Sequence, residues 1–293
     1  MQDTPARPLR RRRSVLYMPA GNARALAKAD TLDADTVIFD LEDSVDPAAK
    51  DDAREALRTF FRDTRPKRPE CVIRINALAG PWGTEDLLAA RACMPDAILL
   101  PKVDDAGDIR AAAEALAETD APQTLRLWAM AETPRFLLNA AGIAELGRDP
   151  NNRLDCFVTG TNDLVKETGI SAGQGRQYLQ PLLTQIVIAA RAGGLDAIDG
   201  VYNDFRDEDG FAGECAHGAA LGFDGKSLIH PAQIGIANAA LSPSPEEIAS
   251  ARAIADAFAR PENAGKGVIS LDGRMVERLH LAMAEKLLAR AGQ

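Results

Sequence analysis

Short apolar runs alternate along this chain with longer stretches that have helical periodicity. Near-continuous apolar runs of this kind are typical of parallel strands that are covered on both faces. The amphipathic stretches between them predict helices, for example at Ala23–Ala29, Asp51–Phe61, Asp104–Glu118 and Leu179–Ala192. The eight predicted strands are Ser14–Met18, Thr36–Leu41, Cys71–Ile75, Ala97–Leu100, Leu125–Ala131, Cys156–Thr159, Ala197–Val201 and Ser227–Ile229.

Eight strand–helix repeats predict an α/β fold of the closed (β/α)8 TIM-barrel type, which we assign to residues 1–240. The alternative is an open, doubly wound sheet. That fold would require a glycine-rich phosphate turn after an early strand, and the sequence contains neither a GxGxxG segment nor a P-loop. The length of 293 residues suits one large barrel.

The C-terminal part of the chain lies outside the eight repeats. Ser244 and Glu247 are spaced as a capping box, which predicts a helix that starts there and extends to about Ala259. A last helix is predicted at about Gly273–Ala291. We therefore assign residues 241–293 to an appended helical segment.

Composition and charge narrow the classes of function. The net charge of −9 argues against non-specific nucleic-acid binding, which depends on Lys and Arg meeting phosphates. The cysteines are far apart and form no CxxC pair, so they indicate a reducing, cytoplasmic compartment rather than zinc or disulfides. No run approaches the roughly 18–20 apolar residues that a membrane span needs. The four cysteines are Cys71, Cys93, Cys156 and Cys215.

A basic cluster, Arg10–Arg13, precedes the first apolar run. We interpret it as a solvated leader ahead of the first strand, with a phosphate contact as the alternative. An export signal does not fit, because the run Ser14–Pro19 is too short for a signal's apolar region and ends at a proline.

Polar residues follow nearly every predicted strand. In barrels of this type the active site lies at the carboxyl ends of the strands. Ionisable groups that converge on this rim therefore predict the site. The residues at the strand ends are Asp40, Glu42, Asp43, Arg74, Lys102, Glu132, Asp163, Asp199 and His230.

Glu132 and Asp163 end the neighbouring fifth and sixth strands. Crowded carboxylates repel unless a cation is present, and magnesium typically takes one or two protein carboxylates. This pair predicts a magnesium site, and the alternative is that both residues cap helices or pair with Lys and Arg. Zinc fits less well, because the histidines His217, His230 and His280 are not spaced as a ligand pair.

Two further segments of the rim suit an anionic substrate. Arg74 can bind a carboxylate or stabilise an enolate oxygen, and the alternative is a structural salt bridge to Asp40, Glu42 or Asp43. Gly160, Thr161 and Asn162 offer backbone N–H groups, or simply form a tight turn. His230 is interpreted as a structural residue, with substrate contact as the alternative.

Arg24 and Lys28 are four residues apart and are predicted to share one helix face. Together with Lys50 they would form a small basic patch beside the acidic rim. Such a patch suits the phosphates of a nucleotide-bearing substrate, and the alternative is an ordinary solvated helix face.

The ordered set of these segments resembles the HpcH/HpaI aldolase and citrate lyase beta-subunit family, in particular its stand-alone CoA-ester lyases. The similarity extends over nearly the whole chain. The matching segments are Arg13–Pro19 with Gly21 and Asn22, Asp40–Val45 with Lys50 and Arg54, Arg74–Asn76, Leu100–Val103, Glu132–Pro134, Asn162–Leu164, Gly222–Lys226 and Ile229–Pro231.

The resemblance implies a role for each group of residues. It implies magnesium, with manganese as a substitute, held at Glu132 and Asp163, and substrate contacts at Arg74, Glu132 and residues 160–162. It implies a trimer or hexamer in which the C-terminal segment of one subunit closes the site of its neighbour. The positions along the CoA would be Tyr17, Arg24, Lys28 and Lys50.

One segment departs from the family. Many members have an aspartate in a Met-Ile-Asp motif on the C-terminal lid as a catalytic group, and here the motif is Met275–Val276–Glu277. Glu277 keeps the carboxylate and adds a methylene group. We assign the proton-accepting role to Glu277, or to a water organised by Asp43.

The predicted reaction is a reversible, magnesium-dependent carbon–carbon cleavage. The substrate would be a 3-hydroxyacyl-CoA with a distal carboxylate, such as malyl-CoA or citramalyl-CoA, and the products a 2-oxo acid and an acyl-CoA. The alternatives are a malyl-CoA thioesterase with the same site, a citrate lyase beta subunit acting on a carrier-bound citryl group, and an aldolase acting on free 2-oxo acids.

Overall fold

The computed structural model describes residues 10–292. Within this range the chain forms two compact units. The larger unit is Arg12–Leu241, and the smaller unit contains residues 10–11 and 242–292.

The larger unit is a closed barrel of eight parallel strands in sequence order. The barrel closes where Ser14, Val15 and Leu16 of the first strand pair with Lys226, Ser227 and Leu228 of the last strand. This closure confirms the predicted (β/α)8 fold and excludes the open sheet. The strands are β1 Ser14–Pro19, β2 Thr36–Asp40, β3 Glu70–Arg74, β4 Ala97–Leu100, β5 Arg126–Ala131, β6 Leu154–Thr159, β7 Asp196–Asp199 and β8 Gly225–Leu228.

Helices follow the strands of the barrel, and an apolar layer lies between strands and helices. Within residues 10–292, no helix is both long and apolar enough to cross a membrane. The helices of the larger unit are α1 Ala23–Leu26, α2 Lys50–Thr64, α3 Gly83–Cys93, α4 Ala106–Glu118, α5 Pro134–Glu145, α6 Thr161–Thr168, α7 Gln180–Gly193, α8 Glu208–Leu221 and α9 Gln233–Ala240.

The barrel interior changes from apolar to charged along its axis. Its middle is filled by a separate apolar cluster that includes Val72 and Met130. Side chains on the same face of a strand recur every two residues, so Arg74 and Glu132 follow them on the inner face at the carboxyl end. The strand pattern therefore places charged residues inside the mouth of the barrel.

Arg12 lies at the opposite, amino-terminal end of the barrel, where it is only 6% exposed. Its guanidinium donates two hydrogen bonds of 2.8 Å to Glu70, one of 2.5 Å to Asp155 and one of 2.8 Å to Asp196. It also lies over the ring of Trp128, 4.7 Å from the centroid. The interpretation of Arg10–Arg13 as a solvated leader is therefore wrong for Arg12, because three strand-start carboxylates bind it.

Replacing Arg12 with methionine is expected to destabilise the barrel by about 3–5 kcal/mol, because removing one partner of a buried ion network leaves uncompensated charges. Thermal and urea unfolding of the full chain measure this loss. Arg62→Met is the matched control, because Arg62 is exposed and pairs with the adjacent, exposed Asp63. Equal stability of the two variants would show that the network contributes nothing.

The smaller unit contains α10 Pro245–Ala259, β9 Val268–Leu271, β10 Arg274–Glu277 and α11 Arg278–Ala291. The capping box is confirmed: Ser244 Oγ accepts from the Glu247 N–H at 3.1 Å, and Glu247 Oε2 accepts from the Ser244 N–H at 2.8 Å. The two strands form an antiparallel hairpin.

The prediction of a helix from about Gly273 is wrong for its first turn and a half. Asp272 and Gly273 both have positive φ, 50° and 75°, and they form the two-residue turn of the hairpin. Val276 of β10 and Ile269 of β9 are buried against Phe258 of α10. The pair Asp-Gly therefore directs the chain into a hairpin, and the helix begins only at Arg278.

Candidate active site

The carboxyl ends of the strands bring five of the predicted residues to one mouth. Tyr17, Arg74 and Glu132 point into the barrel, Asp43 follows β2, and Asp163 lies in the first turn of α6. The contacts of these side chains define what the site can bind.

Glu132 is fully buried at the end of β5. Its Oε1 accepts a hydrogen bond of 2.8 Å from the backbone N–H of Lys102. Its Oε2 is buried and has no hydrogen-bond partner. Burial raises the pKa of Glu132, although Lys102 acts in the opposite direction. A buried carboxylate oxygen without a donor is costly, and a cation is the natural partner for it.

A single ammonium group joins Glu132 to Asp163. Lys102 Nζ lies 2.5 Å from Asp163 Oδ1 and 3.4 Å from Glu132 Oε1. Both carboxylates are therefore within reach of one cation. The structure places the two predicted metal ligands together, and it adds Lys102, whose role sequence reasoning missed.

The donor set fits magnesium. Both candidate ligands are carboxylates, and no cluster of three or more His, Cys, Asp or Glu suited to a metal occurs among residues 10–292. Magnesium binds through one or two carboxylates and takes its other oxygens from water and substrate. Gly160 keeps this position open: a Cβ there would lie 2.6 Å from Glu132 Oε2.

Arg74 is held rigidly at the mouth. Its Nε and Nη2 donate hydrogen bonds of 2.7 Å to the two oxygens of Asp40, and its Nη1 lies 3.3 Å from Asp43. The guanidinium also lies over the ring of Tyr17, 4.9 Å from the centroid. The structural salt bridge that the sequence left as an alternative is thus present, and it fixes the guanidinium in the mouth.

Glu42 is a strand-end residue for which sequence reasoning proposed no role beyond a possible salt bridge with Arg74. Its Oε2 lies 2.7 Å from Arg74 Nη1, but the angle does not make a hydrogen bond. Burial raises the pKa of Glu42 to about 8, although Arg74 lowers it. The strand-end run Asp40–Leu41–Glu42–Asp43 was the available signal, but alternation alone does not tell which of its acids is buried.

The raised pKa of Glu42 predicts a pH effect on stability. Between its ordinary value of 4.5 and about 8, the folded protein retains a proton that the unfolded chain has lost. The contribution of Glu42 to stability is therefore greatest below pH 4.5 and is lost as the pH rises through 8. Glu42→Gln is expected to be more stable than the unmodified protein above pH 8. Its stability is also expected to change less with pH.

Melting temperatures between about pH 5 and 9 in EDTA test this expectation, since Gln stays neutral throughout. Glu55→Gln, on the exposed face of α2, is the matched control. A profile for Glu42→Gln that parallels that of the unmodified protein would contradict the assignment.

The turn from β6 into α6 forms one side of the mouth. Gly160 is the N-cap residue and no side chain caps this end of α6. Thr161 is buried against Gly200, where a Cβ would lie 2.5 Å from Thr161 Cγ2. The exposed Asn162 exchanges side-chain amide hydrogen bonds of 2.9 and 3.2 Å with Asn203. The turn is thus packed against Gly200, which directly follows β7.

The residues predicted to lie along CoA occupy different environments. Tyr17 is part of the mouth, where its hydroxyl donates to Met130 Sδ at 3.4 Å. Arg24 and Lys28 are both exposed. They do not share an α-helical face, because α1 ends at Leu26 and Lys28 precedes a 3-10 turn. The helical spacing used to group them is therefore wrong.

Lys50 does not join this patch. It is 4% exposed, and its ammonium donates to Leu41 O at 2.8 Å, Glu42 O at 2.7 Å and Asn76 Oδ1 at 3.1 Å. With its three protons used inside the protein, Lys50 anchors the loop after β2. We remove it from the expected CoA contacts.

Three further predicted residues make contacts of their own. The side chain of Asp43 is 68% exposed beside Arg74. His230 stacks on Phe205 with ring centroids 4.5 Å apart, and its Nδ1 accepts from the Ala232 N–H at 3.2 Å. Glu277 belongs to the smaller unit, where it is the N-cap residue of α11 and its N–H donates to His280 Nδ1 at 3.0 Å.

Comparison with known proteins shows the family of the chain. The family model described as HpcH/HpaI aldolase/citrate lyase matches residues 13–231. The chain is 46% identical over 279 residues to the (3S)-malyl-CoA thioesterase of Cereibacter sphaeroides, covering 95% of this chain and 94% of that protein. It is 34% identical over 290 residues to the citrate lyase subunit beta of Escherichia coli, covering 97% and 95%.

A solved structure matches the fold over most of its length. CitE from Mycobacterium tuberculosis, crystallised with magnesium, acetoacetate and coenzyme A, aligns with a TM-score of 0.74 and 33% identity, covering 96% of this chain and 98% of that chain. Further structures from that organism also hold magnesium: CitE with acetate, and a citrate lyase beta subunit with oxaloacetate. Magnesium is therefore confirmed as a cofactor of the family.

Proposed function

Because the chain belongs to the HpcH/HpaI aldolase/citrate lyase family, we propose that it is a magnesium-dependent carbon–carbon lyase for a short 3-hydroxyacyl-CoA. The substrate class carries a distal carboxylate, as malyl-CoA and citramalyl-CoA do. The observation that carries this proposal is the approach of Glu132 and Asp163 to one cation position at the mouth. The magnesium and coenzyme A in the similar CitE structure support it.

In this proposal Glu132 and Asp163 hold the ion. When bound, magnesium supplies a Lewis acid that lowers the pKa of the substrate hydroxyl and polarises the developing carbonyl. Arg74, fixed by Asp40, stabilises the enolate oxygen of the departing acyl-CoA. The N–H groups at Thr161 and Asn162 suit the distal carboxylate, because a helix N-terminus attracts anions. The N–H of Gly160 donates instead to Ala131 O at 3.1 Å, so Gly160 allows close approach but supplies no donor.

The bond between C2 and C3 of the acyl group breaks as the hydroxyl proton leaves. That proton passes to Glu277, supplied by the smaller unit of a neighbouring subunit, or to a water organised by Asp43. The electron pair of the broken bond becomes the enolate, which takes up a proton to give the acyl-CoA. The products are this acyl-CoA and a 2-oxo acid.

A second candidate is hydrolysis of the thioester at the same site. The 46% identity to a (3S)-malyl-CoA thioesterase favours it. Glu277 adds a methylene where many family members have aspartate, and a displacement of about 1 Å in a catalytic group can change a rate on the order of 100-fold. Water would then attack the thioester carbonyl and release free CoA and the hydroxy acid.

Product analysis decides between the candidates. The purified full chain is incubated with magnesium and either (3S)-malyl-CoA or citramalyl-CoA in H2(18)O, and products are identified by mass spectrometry. A 2-oxo acid with an acyl-CoA supports the lyase. A hydroxy acid labelled in its carboxylate, together with free CoA, supports the thioesterase. Turnover only of a citryl group on an acyl carrier protein would overturn both and favour a citrate lyase subunit.

Assembly and location form part of the same proposal. We expect a homotrimer or hexamer in the cytoplasm, with Arg24, Lys28 and Tyr17 along the CoA. The four cysteines support a reducing compartment, since all are buried and none forms a disulfide within residues 10–292. Light scattering of the purified chain measures the oligomer, and a monomer with full activity would exclude a lid from a neighbour.

A further inference from the structure

Lys102 has an unusual backbone conformation directly after β4. Its φ is 51°, in the left-handed region that is strained for residues other than glycine. The flanking Pro101 and Val103 are buried, so the surrounding packing holds this conformation in place.

The strained turn aims two donors of one residue at the same carboxylates. The backbone N–H of Lys102 donates to Glu132 Oε1, and its ammonium contacts Glu132 and Asp163. Glycine would relieve the strain but would lack the ammonium. The site therefore retains a costly conformation at a position where the side chain neutralises two acids.

We propose that Lys102 is the resident counter-cation of the carboxylate pair, and that a divalent metal binds by displacing its ammonium. This inference rests on the proposed function, because it takes Glu132 and Asp163 as the metal ligands. Its physical basis is that the ammonium contacts both carboxylates that a metal must bind, 2.5 Å from Asp163 Oδ1 and 3.4 Å from Glu132 Oε1.

The ammonium can leave this position without disrupting the barrel. The Lys102 side chain is 36% exposed, whereas Glu132 is buried, so the lysine lies on the solvent side of the pair. The lysine side chain is flexible and its ammonium is readily hydrated. The ammonium of Lys102 and the metal ion then compete for the two carboxylates. At low metal concentration Lys102 holds the carboxylates in place, and its presence lowers the affinity of the site for the metal.

The test is calorimetric titration of magnesium into the EDTA-treated full chain. Lys102→Met is expected to bind magnesium at least about tenfold more tightly, because a competing charge has been removed at short range. Its metal-free form is expected to melt at a lower temperature, since the two acids then repel, and magnesium is expected to restore the loss.

Lys166→Met is the matched control, because Lys166 is an exposed lysine on the helix that carries Asp163. It is expected to keep the unmodified affinity. Lys102→Arg keeps the charge and adds a bidentate donor, so it is expected to bind magnesium more weakly than the unmodified protein. This variant keeps the inference testable if Lys102→Met does not fold.

The outcomes separate this inference from the proposed function. Unchanged or weaker magnesium binding by Lys102→Met, with normal binding by the unmodified protein, would overturn the counter-cation role alone. If the unmodified protein binds no magnesium, or binds it equally after Glu132→Gln, the metal site itself is wrong.

Discussion

Replacing Glu132 with glutamine is expected to remove magnesium binding and to lower turnover of the CoA ester by at least about 1,000-fold, because metal polarisation contributes several kcal/mol to the transition state. Glutamine has nearly the shape of glutamate, and its carbonyl can still accept from the Lys102 N–H. The fold should therefore survive, since burial already raises the pKa of Glu132 and so disfavours its charged form.

Magnesium titration and turnover with malyl-CoA measure this effect, and Asp163→Asn is expected to behave in the same way. Glu145→Gln is the control, since that glutamate lies on α5, is 64% exposed and contacts Arg148. Full turnover by Glu132→Gln in EDTA would end the metal-dependent model.

Adding one methyl group at Gly160 is expected to reduce turnover on the order of 100-fold and to weaken magnesium binding. A Cβ at this position would lie 2.5 Å from Glu132 Cβ and 2.6 Å from its Oε2. Real Cβ atoms do not approach so closely, so Glu132 must leave the position in which it faces the metal site. The effect arises from geometry alone, because Gly160→Ala changes no charge.

Gly142→Ala is the matched control for this variant. Gly142 lies on α5 with open space around its Cβ position, so alanine is expected to stabilise the helix by up to about 1 kcal/mol and to leave magnesium affinity unchanged. Circular dichroism and magnesium titration compare the two alanines. Equal magnesium affinity in both would show that Glu132 is not confined by Gly160.

The C-terminal hairpin shows where a local pattern predicts the wrong element. Met275, Leu279 and Met283 recur every four residues and so predicted one continuous helix, yet the turn chemistry of Asp272 and Gly273 prevails at its start. Helical periodicity cannot distinguish a helix from a strand that leads directly into one.

Lys50 and Arg12 show a second kind of error. Both were interpreted as surface cations, because Lys and Arg are seldom fully buried. Each is instead enclosed by acceptors. Those of Lys50 lie 8, 9 and 26 residues away, whereas Arg12 meets Glu70 and Asp196, which lie 58 and 184 residues further along the chain. No local feature of the sequence records such partners.

The sequence by itself determined the barrel and the general location of its site. Eight apolar runs specify parallel strands, and the two-residue period of a strand carries Arg74 and Glu132 onto its inner face at the mouth. Only the tertiary structure decided which charges meet there. Lys102 contacts Glu132 and Asp163, 30 and 61 residues away, because a left-handed turn aims its side chain inward, and that direction depends on packing rather than on periodicity.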